Sequence, residues 1–583
     1  YFVQSDGNNA WTRDHIYGIE KDYRLARVAK ISLFMNGAGE GNIIFGDGLE
    51  NVPDKGIENG TFDILVANPP YAVKDFKQHL QLKNNSFTLL DRIGMNGGEI
   101  ETLFVERIAQ LLKPQGVAAV ILPSSILSND SASYTGAREQ LLQNFYIRGI
   151  AAFGSKTFGA TGTNTVVMFL EKFNEPPKQI DLSADSVDAV FSGAELAEWK
   201  DKDIFEAYLA QIDVGENEYR AFLNKSLSVA DLEGSKYFKM YVTAFADSAD
   251  AKNLLKTKAY QQKSADEQAA VYLEKLYSYA YSIEREKLFY FSLVYRQITV
   301  IITAPADNKA QKEFLGYDWS NRKGNEGIQI ITPGGKMYNP RDRRSETALA
   351  SVVRNSFMER PLSVDENLKK YASIVCTHEM LNFCRPIFTK AINITTAQRN
   401  SVISKYPRYR LDNKEKFSIT IGKRVLSTEI NQGEGIPVFS ANVIEPFGRI
   451  SKDLLEDFTM PSVLWGIDGD WMVNYIPQDF PFYPTDHCGV LRVLDKALSP
   501  YYVSLILYIV GKLHGFSRSY RASIDRIREV EIPIPPIGVQ RSITEDCKAI
   551  EAEYKSTRMS TSEYRERIER LLTKAEIIAL VQK

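Results

Sequence analysis

The four residues Asn68-Pro69-Pro70-Tyr71 carry the clearest chemistry in this chain. They follow the apolar run of residues 62–67, which is short and rich in branched side chains and predicts a strand buried on both faces of a parallel sheet. Two prolines cannot donate to a sheet ladder, so the chain must leave the sheet in an extended turn. The side-chain oxygen of Asn68 and the carbonyl of Pro69 can then accept both N–H groups of an amine such as adenine N6, while Tyr71 stacks on the ring.

Two further short runs upstream each end in an acid. Residues 17–20 predict a strand, and residues 21–35 have apolar side chains at helical spacing, so together they predict a strand-to-helix step. An acid at the carboxyl end of such a strand can accept both hydroxyls of a ribose, which makes Glu20 a candidate ribose ligand. Residues 42–48 end in Gly46-Asp47-Gly48, where glycine allows close approach to the backbone and Asp47 can accept from the amine of a cofactor.

In this order, the three segments resemble the modification subunits of type I restriction systems and related adenine-N6 DNA methyltransferases. Residues 17–22 resemble the ribose motif of that family, residues 46–49 its adenine-contacting motif and residues 68–71 its catalytic motif. Residues 116–123 resemble the strand after the catalytic loop, and residues 158–165 the segment before the last hairpin.

The resemblance implies a fold and a set of roles. The fold is α/β, with a doubly wound Rossmann-like methyltransferase domain over residues 1–178. S-adenosylmethionine is the implied cofactor, held by Glu20, Gly46 and Asp47. The implied catalytic residues are Asn68, Pro69, Pro70 and Tyr71, and Phe158 would give a flipped base its second aromatic face.

One feature of the family is absent from this sequence. Its glycine-rich cofactor loop should precede Tyr17, but residues 1–16 contain no such motif. We therefore expect the domain to lack its first strand and methionine-holding turn, as in a fragment of a longer protein.

Composition limits the class of protein. The chain has 583 residues, of which 44% are hydrophobic and 25% charged, enough for three or more domains. No run approaches a membrane span and no signal peptide is visible. The four scattered cysteines indicate a reduced cytoplasm, and the spacing of Cys376, His378 and Cys384 matches no zinc pattern, so no metal is expected.

The net charge of −2 does not favour attraction of nucleic acid by the whole surface, so any phosphate contacts must come from grouped basic residues. The favoured group contains Lys512, Arg518 and Arg521, interleaved with aromatic residues. Arg322 and Lys323 form a second candidate pair. Each group taken singly is also explained by an ordinary solvated face.

Beyond the catalytic domain, residues 179–400 predict a mainly helical extension. The resemblance implies that it braces other domains or subunits, and a helical subdomain packed on its own core is the alternative. Residues 401–540 resemble half of a type I specificity subunit, an α+β target recognition domain, most clearly at residues 463–471 and 532–543. Residues 541–583 predict one long helix that either spaces and pairs recognition domains or folds back on its own domain.

The resemblance implies a site-specific DNA methyltransferase acting on adenine N6, with double-stranded DNA as partner and no membrane. A second copy, or a specificity or restriction subunit, is the expected protein partner. Two alternatives stay open: a protein-glutamine methyltransferase, whose loop also reads Asn-Pro-Pro-Tyr, and a recognition subunit with an inactive catalytic domain. A Pro-Asp pair with a downstream Glu-x-Lys would indicate a nuclease. Pro53-Asp54 lies in a polar loop without such a partner, so the sequence does not predict a nuclease here.

Overall fold

The computed structural model describes residues 10–35, 37, 39, 41–154, 157, 163–175, 178–193, 201–305, 307–320, 327–331, 334–339, 342, 344–395, 402–431, 433–452, 458–556, 559 and 561–580. The chain divides into two compact units, Tyr1–Ala391 and Ile392–Lys583.

The first unit begins with a small parallel sheet. The elements are α1 (Ala10–His15), β1 (Tyr17–Glu20), α2 (Tyr23–Met35) and β2 (Asn42–Phe45). Strands β1 and β2 pair in parallel, with Glu20 opposite Phe45. The predicted strand–helix–strand step is therefore confirmed. The outer side of α2 is apolar and open, since Leu25, Val28 and Ile31 are each more than half exposed.

The remaining strands of this unit are β3 (Phe62–Ala67), β4 (Leu112–Pro123), β5 (Phe145–Phe153), β6 (Thr165–Lys172), β7 (Ile298–Thr303), β8 (Tyr317–Ser320), β9 (Gly327–Ile330) and β10 (Ala372–Cys376). Six of them form a mixed sheet in the order β10-β7-β5-β6-β4-β3, and β8 pairs with β9. Strands β3 and β4 are parallel, as are β5 and β7, while the other neighbours are antiparallel.

Strand β3 lies at the edge of this sheet, which corrects the prediction of a strand buried on both faces. Ile64 is 69% exposed and Val66 is 78% exposed. The physical reason is that β3 has one hydrogen-bonded neighbour, β4, within the part of the chain that the structure describes. Its branched residues satisfy β propensity without being buried.

The helices of the first unit that follow α2 are α3 (Phe76–His79), α4 (Ile100–Leu111), α5 (Ser125–Ser128), α6 (Ala132–Asn144), α7 (Gln179–Phe191), α8 (Lys202–Ile212), α9 (Glu216–Leu223), α10 (Val229–Gly234), α11 (Lys239–Asp247), α12 (Ala249–Lys256), α13 (Lys258–Gln261), α14 (Ala265–Val294), α15 (Asn308–Leu315) and α16 (Leu349–Phe357). Short 3-10 helices occupy Pro53–Lys55, Thr88–Arg92 and Thr377–Met380.

Helices α7 to α14 pack against one another, and α14 also contacts the rest of the unit, since the side chain of Gln143 on α6 donates to the hydroxyl of Tyr290. The carboxylate of Glu284 on α14 is fully buried and accepts hydrogen bonds from four tyrosine hydroxyls, those of Tyr208, Tyr219, Tyr237 and Tyr241. Burial raises the pKa of each tyrosine, so all four remain protonated donors. Helices α8, α9 and α11 are thereby fixed to α14.

The predicted helical extension ends earlier than expected. Helices α7 to α14 lie between Gln179 and Val294, whereas β7 and β10 lie within residues 295–400 and belong to the six-stranded sheet. The apolar run of β7 follows α14 so closely that helical composition masked it. The segment predicted as mainly helical over residues 179–400 therefore also contributes two strands to the sheet, both from its second half.

The strands of the second unit are β11 (Val402–Ile403), β12 (Arg408–Arg410), β13 (Phe417–Ile421), β14 (Ile436–Phe439), β15 (Gly448–Ile450), β16 (Ser462–Gly466), β17 (Val473–Ile476), β18 (Tyr483–Pro484), β19 (Cys488–Val493), β20 (Glu531–Pro533) and β21 (Ala579–Leu580). Its helices are α17 (Pro500–Leu513), α18 (Ile524–Arg528), α19 (Ile537–Ser556) and α20 (Thr561–Lys574). The main sheet has the order β13-β19-β16-β17, and a smaller one has the order β15-β14-β18.

Two tryptophans fix the core of the second unit. Trp465 on β16 is fully buried, and its indole N–H donates to the carbonyl of Ala522 at 2.9 Å. Trp471 donates to the carbonyl of Tyr508 on α17 at 2.7 Å. Because a buried indole needs a partner for its N–H, these bonds select one arrangement of sheet and helix.

The C-terminal segment contains two helices where one long helix was predicted. Helix α20 returns along α19: the rings of Tyr554 and Tyr564 stack with centroids 4.8 Å apart, and Arg567 pairs with Glu553 at 2.9 Å. Leu572 is fully buried, and β21 then pairs with β11. The C-terminal segment therefore packs within its own unit, as in the fold-back alternative.

Candidate functional site

The loop Asn68-Pro69-Pro70-Tyr71 leaves the sheet at the carboxyl end of β3, as predicted. Asn68 and Pro70 are exposed, Pro69 is buried, and Tyr71 is half-buried. The Tyr71 hydroxyl lies 2.7 Å from Oδ1 of Asn68 and 3.2 Å from the carbonyl oxygen of Ile121 on β4. Its single proton can be donated to either oxygen, so the Tyr71 ring is held close to β4 and to the Asn68 amide.

This geometry leaves acceptors for an amine. A carbonyl-type oxygen has two lone pairs, so Oδ1 of Asn68 can accept from Tyr71 and from a substrate N–H together. Within the described chain, no group donates to the carbonyl oxygen of Pro69. Burial raises the pKa of Tyr71 to about 12, with the nearby Glu101 carboxylate adding to the effect, so the hydroxyl remains a donor at neutral pH.

A buried carboxylate supports the loop from behind. Ala72, the next residue, has a φ of 50°, which is rare without glycine. Its N–H donates to Oε2 of Glu101 at 3.1 Å, and the hydroxyl of Tyr134 donates to Oε1 of the same carboxylate at 2.5 Å. Sequence reasoning missed Glu101 and Tyr134, because a glutamate that faces inward on a helix has no distinguishing sequence signal.

The candidate cofactor residues lie at the carboxyl ends of β1 and β2. Glu20 ends β1 and accepts from the N–H of Asp22 through one oxygen, at 2.9 Å. Asp47 accepts from the N–H of Leu49 at 3.1 Å and pairs with Lys21 at 3.0 Å. The N–H of Gly46 donates to the carbonyl of Glu20 at 3.1 Å, so the two strand ends are held together.

The donor set at these strand ends fits the adenosine part of S-adenosylmethionine. The second carboxylate oxygen of Glu20 has no partner among the residues that the structure describes, so it can accept from a ribose hydroxyl. A Cβ at Gly46 would make only ordinary contacts, 3.7 Å to Ile19, so no packing within the protein requires glycine there. Ligands of open α/β sheets bind at such strand ends.

The amino ends of β1 and β3 are adjacent. Tyr17, which begins β1, packs edge-to-face against Phe62, which begins β3, with ring centroids 5.6 Å apart. The two acids and the Asn-Pro-Pro-Tyr loop therefore come from strands that start at one place in the fold. The remaining active-site candidate, Phe158, lies outside the described residues.

The three predicted phosphate contacts that the structure describes, Lys512, Arg518 and Arg521, are each paired with an acid. Arg518 donates from Nε to Asp470 at 2.6 Å, Arg521 pairs with Asp468, and Lys512 pairs with Glu569 at 3.5 Å. Each is partly exposed, so exchange of the acid for a phosphate is sterically possible. Arg322 and Lys323 lie outside the part of the chain that the structure describes.

Two kinds of feature are absent from the residues that the structure describes. No group of three or more His, Cys, Asp or Glu side chains is placed to hold a metal ion. No helix within those residues is long and apolar enough to span a bilayer.

The first unit is an α/β domain with added helices, and the second unit combines strands and helices. The family model for N-6 DNA methylase matches residues 2–239, and the model for the type I restriction modification DNA specificity domain matches residues 412–559.

Two curated relatives match a part of the chain. The type II restriction enzyme and methyltransferase RM.Eco57I of Escherichia coli is 28% identical over 190 residues, 27% of this chain and 19% of that protein. RM.BcgI of Heyndrickxia coagulans, described in the same terms, is 23% identical over 162 residues, 27% of this chain and 22% of that protein. The chain therefore spans only a small part of each relative's length.

Two solved structures match short stretches of the chain. The EcoKI M protein, a type I restriction enzyme, is 21% identical with a TM-score of 0.23, covering 27% of this chain and 31% of that one. The HsdS subunit of Thermoanaerobacter tengcongensis is 21% identical with a TM-score of 0.22, covering 29% of this chain and 44% of that one.

Proposed function

We propose that this chain carries a site-specific DNA methyltransferase of a restriction-modification system, which methylates adenine N6 in a recognised duplex sequence. The observation that carries the proposal is the Asn-Pro-Pro-Tyr loop at the end of β3 in a chain that also contains a type I DNA specificity segment. A DNA reader has no use in a protein-glutamine methyltransferase, which is why we favour adenine over a side-chain amide.

The amine of the target base is held by acceptors. Oδ1 of Asn68 and the carbonyl oxygen of Pro69 accept its two N–H groups, which points the nitrogen lone pair at the methyl donor and stabilises the positive charge that develops on N6. No general base of unusual pKa is needed, because the amine becomes acidic once it is alkylated and then loses its proton to water. The half-buried ring of Tyr71 supplies a stacking face for the flipped base.

S-adenosylmethionine supplies an electrophilic methyl group in this proposal. Glu20 binds its ribose hydroxyls, and Asp47 accepts from its adenine amine. Gly46 leaves the backbone open beside them. We place the activity in the cytoplasm, where this cofactor and the DNA substrate are available. The four cysteines are free thiols, which agrees with that placement.

Recognition is assigned to the second unit. Arg518, Arg521 and Lys512 position the duplex by its phosphates, and side chains still to be identified read the base edges. Arg322, Lys323 and Phe158 remain candidates for DNA and base contacts. A second copy of the chain, or another specificity or restriction subunit, would supply a second half-site.

The test is methyl transfer from labelled S-adenosylmethionine to duplex DNA, using the protein made from its full reading frame. We expect label on adenine N6, and we expect Asn68→Ala to abolish it while specific DNA binding stays largely intact. Equal loss of methylation and of binding in that variant would refute the role given to Asn68.

The same assay separates the alternatives. Label on a glutamine-containing peptide that DNA does not compete away would identify a protein methyltransferase. Specific DNA binding without cofactor binding or label would identify a recognition subunit with an inactive catalytic domain.

A further inference from the structure

Helix α4 carries three buried ionisable side chains on a single twelve-residue element. Glu101 is 1% exposed, Glu106 is 5% exposed and Arg107 is 1% exposed. None of the three has a salt-bridge partner among the residues that the structure describes. Charged groups are rarely buried unless other polar groups satisfy them, so the partners of these three side chains are informative.

Glu101 is satisfied by the catalytic loop. It accepts the N–H of Ala72, directly after Tyr71, and the hydroxyl of Tyr134 on α6. The hydroxyl of Ser125 on α5 in turn donates to the Tyr134 oxygen at 3.1 Å. Because the left-handed conformation of Ala72 is unfavourable for a non-glycine residue, the hydrogen bond to Glu101 helps to hold the chain in the turn that orients Asn68 and Pro69.

Arg107 is satisfied by the loop on the cofactor side. Its guanidinium donates to the carbonyls of Gly48 at 3.2 Å and Glu50 at 2.7 Å, and to the side-chain oxygens of Asn51 at 2.7 Å and Asn59 at 3.2 Å. Burial lowers the pKa of Arg107 to about 10, which still leaves it charged at neutral pH. The guanidinium therefore fixes the residues that immediately follow Asp47.

Glu106 has a different set of partners. It accepts from the N–H and hydroxyl of Thr88 at 2.7 and 2.9 Å, and from the N–H of Leu89 at 3.0 Å. These residues begin a 3-10 helix that contains none of the proposed site residues. Glu106 is thus a buried carboxylate of the same helix with a purely structural environment.

We propose that α4 positions the two halves of the active site through separate side chains: Glu101 is a positioning residue for the amine-binding loop, and Arg107 is one for the cofactor loop. This inference rests on the proposed methyl transfer. It predicts that loss of Glu101 affects the chemical step, whereas loss of Arg107 affects cofactor binding. Neither residue touches the reacting atoms.

The experiment compares Glu101→Leu, Arg107→Leu and the matched control Glu106→Leu by steady-state kinetics and thermal unfolding. We expect Glu101→Leu to lower kcat by about tenfold or more with the KM for S-adenosylmethionine little changed, since about 1.4 kcal/mol of lost orientation is a factor of ten. Arg107→Leu should raise that KM by about tenfold with a smaller change in kcat. Glu106→Leu should lower the melting temperature without a selective change in either kcat or the KM for S-adenosylmethionine.

Glu101→Gln is the conservative variant, because a glutamine oxygen can still accept from the N–H of Ala72. We expect it to recover most of the lost kcat. If Glu101→Leu and Glu106→Leu lower kcat alike, in proportion to the folded fraction, the positioning role is overturned.

Amide hydrogen exchange distinguishes this inference from the function on which it rests. Glu101→Leu should speed exchange in peptides covering residues 68–74, and Arg107→Leu in peptides covering residues 46–52, whether or not the protein methylates DNA. Failure of wild-type methyl transfer with these exchange patterns intact would remove the proposed function alone. Uniform exchange changes in all three variants would contradict the positioning roles.

Discussion

At the scale of single residues, the proposed function gives Tyr71 two roles that substitution can separate. Its ring would stack on the target base, and its hydroxyl is within hydrogen-bond distance of Oδ1 of Asn68 and of the carbonyl oxygen of Ile121 on β4. We expect Tyr71→Phe to lower kcat by up to about tenfold, since one hydrogen bond contributes about 0.5–1.5 kcal/mol. Tyr71→Ala should also weaken binding of DNA with an unpaired target base, by about 1–3 kcal/mol of stacking.

The measurement for Tyr71 is kcat together with the Kd for duplexes with and without a mismatch at the target base. Tyr71→Ala should lose the mismatch preference, and Tyr71→Phe should keep it. If the two variants behave alike, the ring does not stack on the target base and the hydroxyl alone is important.

His487 gives the recognition unit a pH-dependent contact. Its hydrogen bond to Asp468 raises the pKa of His487, with Asp486 adding to the effect and Arg521 opposing it. A raised folded-state pKa stabilises the fold fully below the ordinary histidine pKa of about 6.5, and the contribution is lost as pH rises through the folded value. His487→Gln should therefore lower the melting temperature more at pH 6 than at pH 9.

The prediction for His487 requires that its partner Asp468 does not titrate in the same pH range. The pKa of Asp468 is held below its ordinary value, because the hydrogen bonds and charges of His487 and Arg521 outweigh the effect of burial. Asp468 thus stays ionised between about pH 6 and pH 9 and does not contribute to the change over that range. A melting-temperature difference that grows with rising pH would contradict the ion pair.

At the scale of elements, close packing decides where glycine is required. A Cβ at Gly466, the last residue of β16, would lie 2.2 Å from the carbonyl oxygen of Ala441, whereas nothing lies within 4 Å of a Cβ at Gly538 on α19. We expect Gly466→Ala to destabilise the recognition unit by about 1–3 kcal/mol, as overpacking does. Gly538→Ala should be neutral or stabilising by less than about 1 kcal/mol. Denaturant unfolding measures the change in the free energy of unfolding for both variants. Equal changes in the two would contradict the role of close packing at Gly466.

The sequence predicted those elements whose signal is local. The strands β1, β2 and β3 and the helices that follow residue 179 are expected from apolar spacing and composition, and the structure contains them. It did not predict that β7 and β10 join the sheet of the first unit, since pairing between Ile150 and Ile301 is a contact between distant residues. The structure has α19 and α20 where the sequence predicted one long helix.

The candidate site divides in the same way. Asn68 and Tyr71 have a signature of neighbouring residues, so the sequence located them, and the structure adds the bond between them. Glu101 and Arg107 act through backbone groups tens of residues away, and no local pattern distinguishes an inward-facing charge from a solvated one. The acids that pair with Arg518 and Arg521 were missed for the same reason, because Asp470 and Asp468 belong to another loop.

At the scale of the whole molecule, charge limits how DNA can be held. Lysines and arginines number 71 and acids 73, so attraction by net charge is absent and binding must come from local contacts. Arg518 is the best-defined candidate, but it must leave Asp470 to reach a phosphate. Each phosphate that a protein neutralises adds about 0.9 to the slope of log K against log salt on duplex DNA.

We therefore expect Arg518→Ala to weaken DNA binding and to reduce that slope by about 0.9, because one phosphate contact is lost. Asp470→Asn should strengthen binding with the slope unchanged, since Arg518 no longer has to leave a carboxylate. Arg410→Ala is the matched control: it removes the same charge from an arginine of the same unit that is paired with Asp412 at 2.7 Å. If Arg410→Ala and Arg518→Ala change the affinity and the slope alike, the effect is one of net charge and Arg518 makes no phosphate contact.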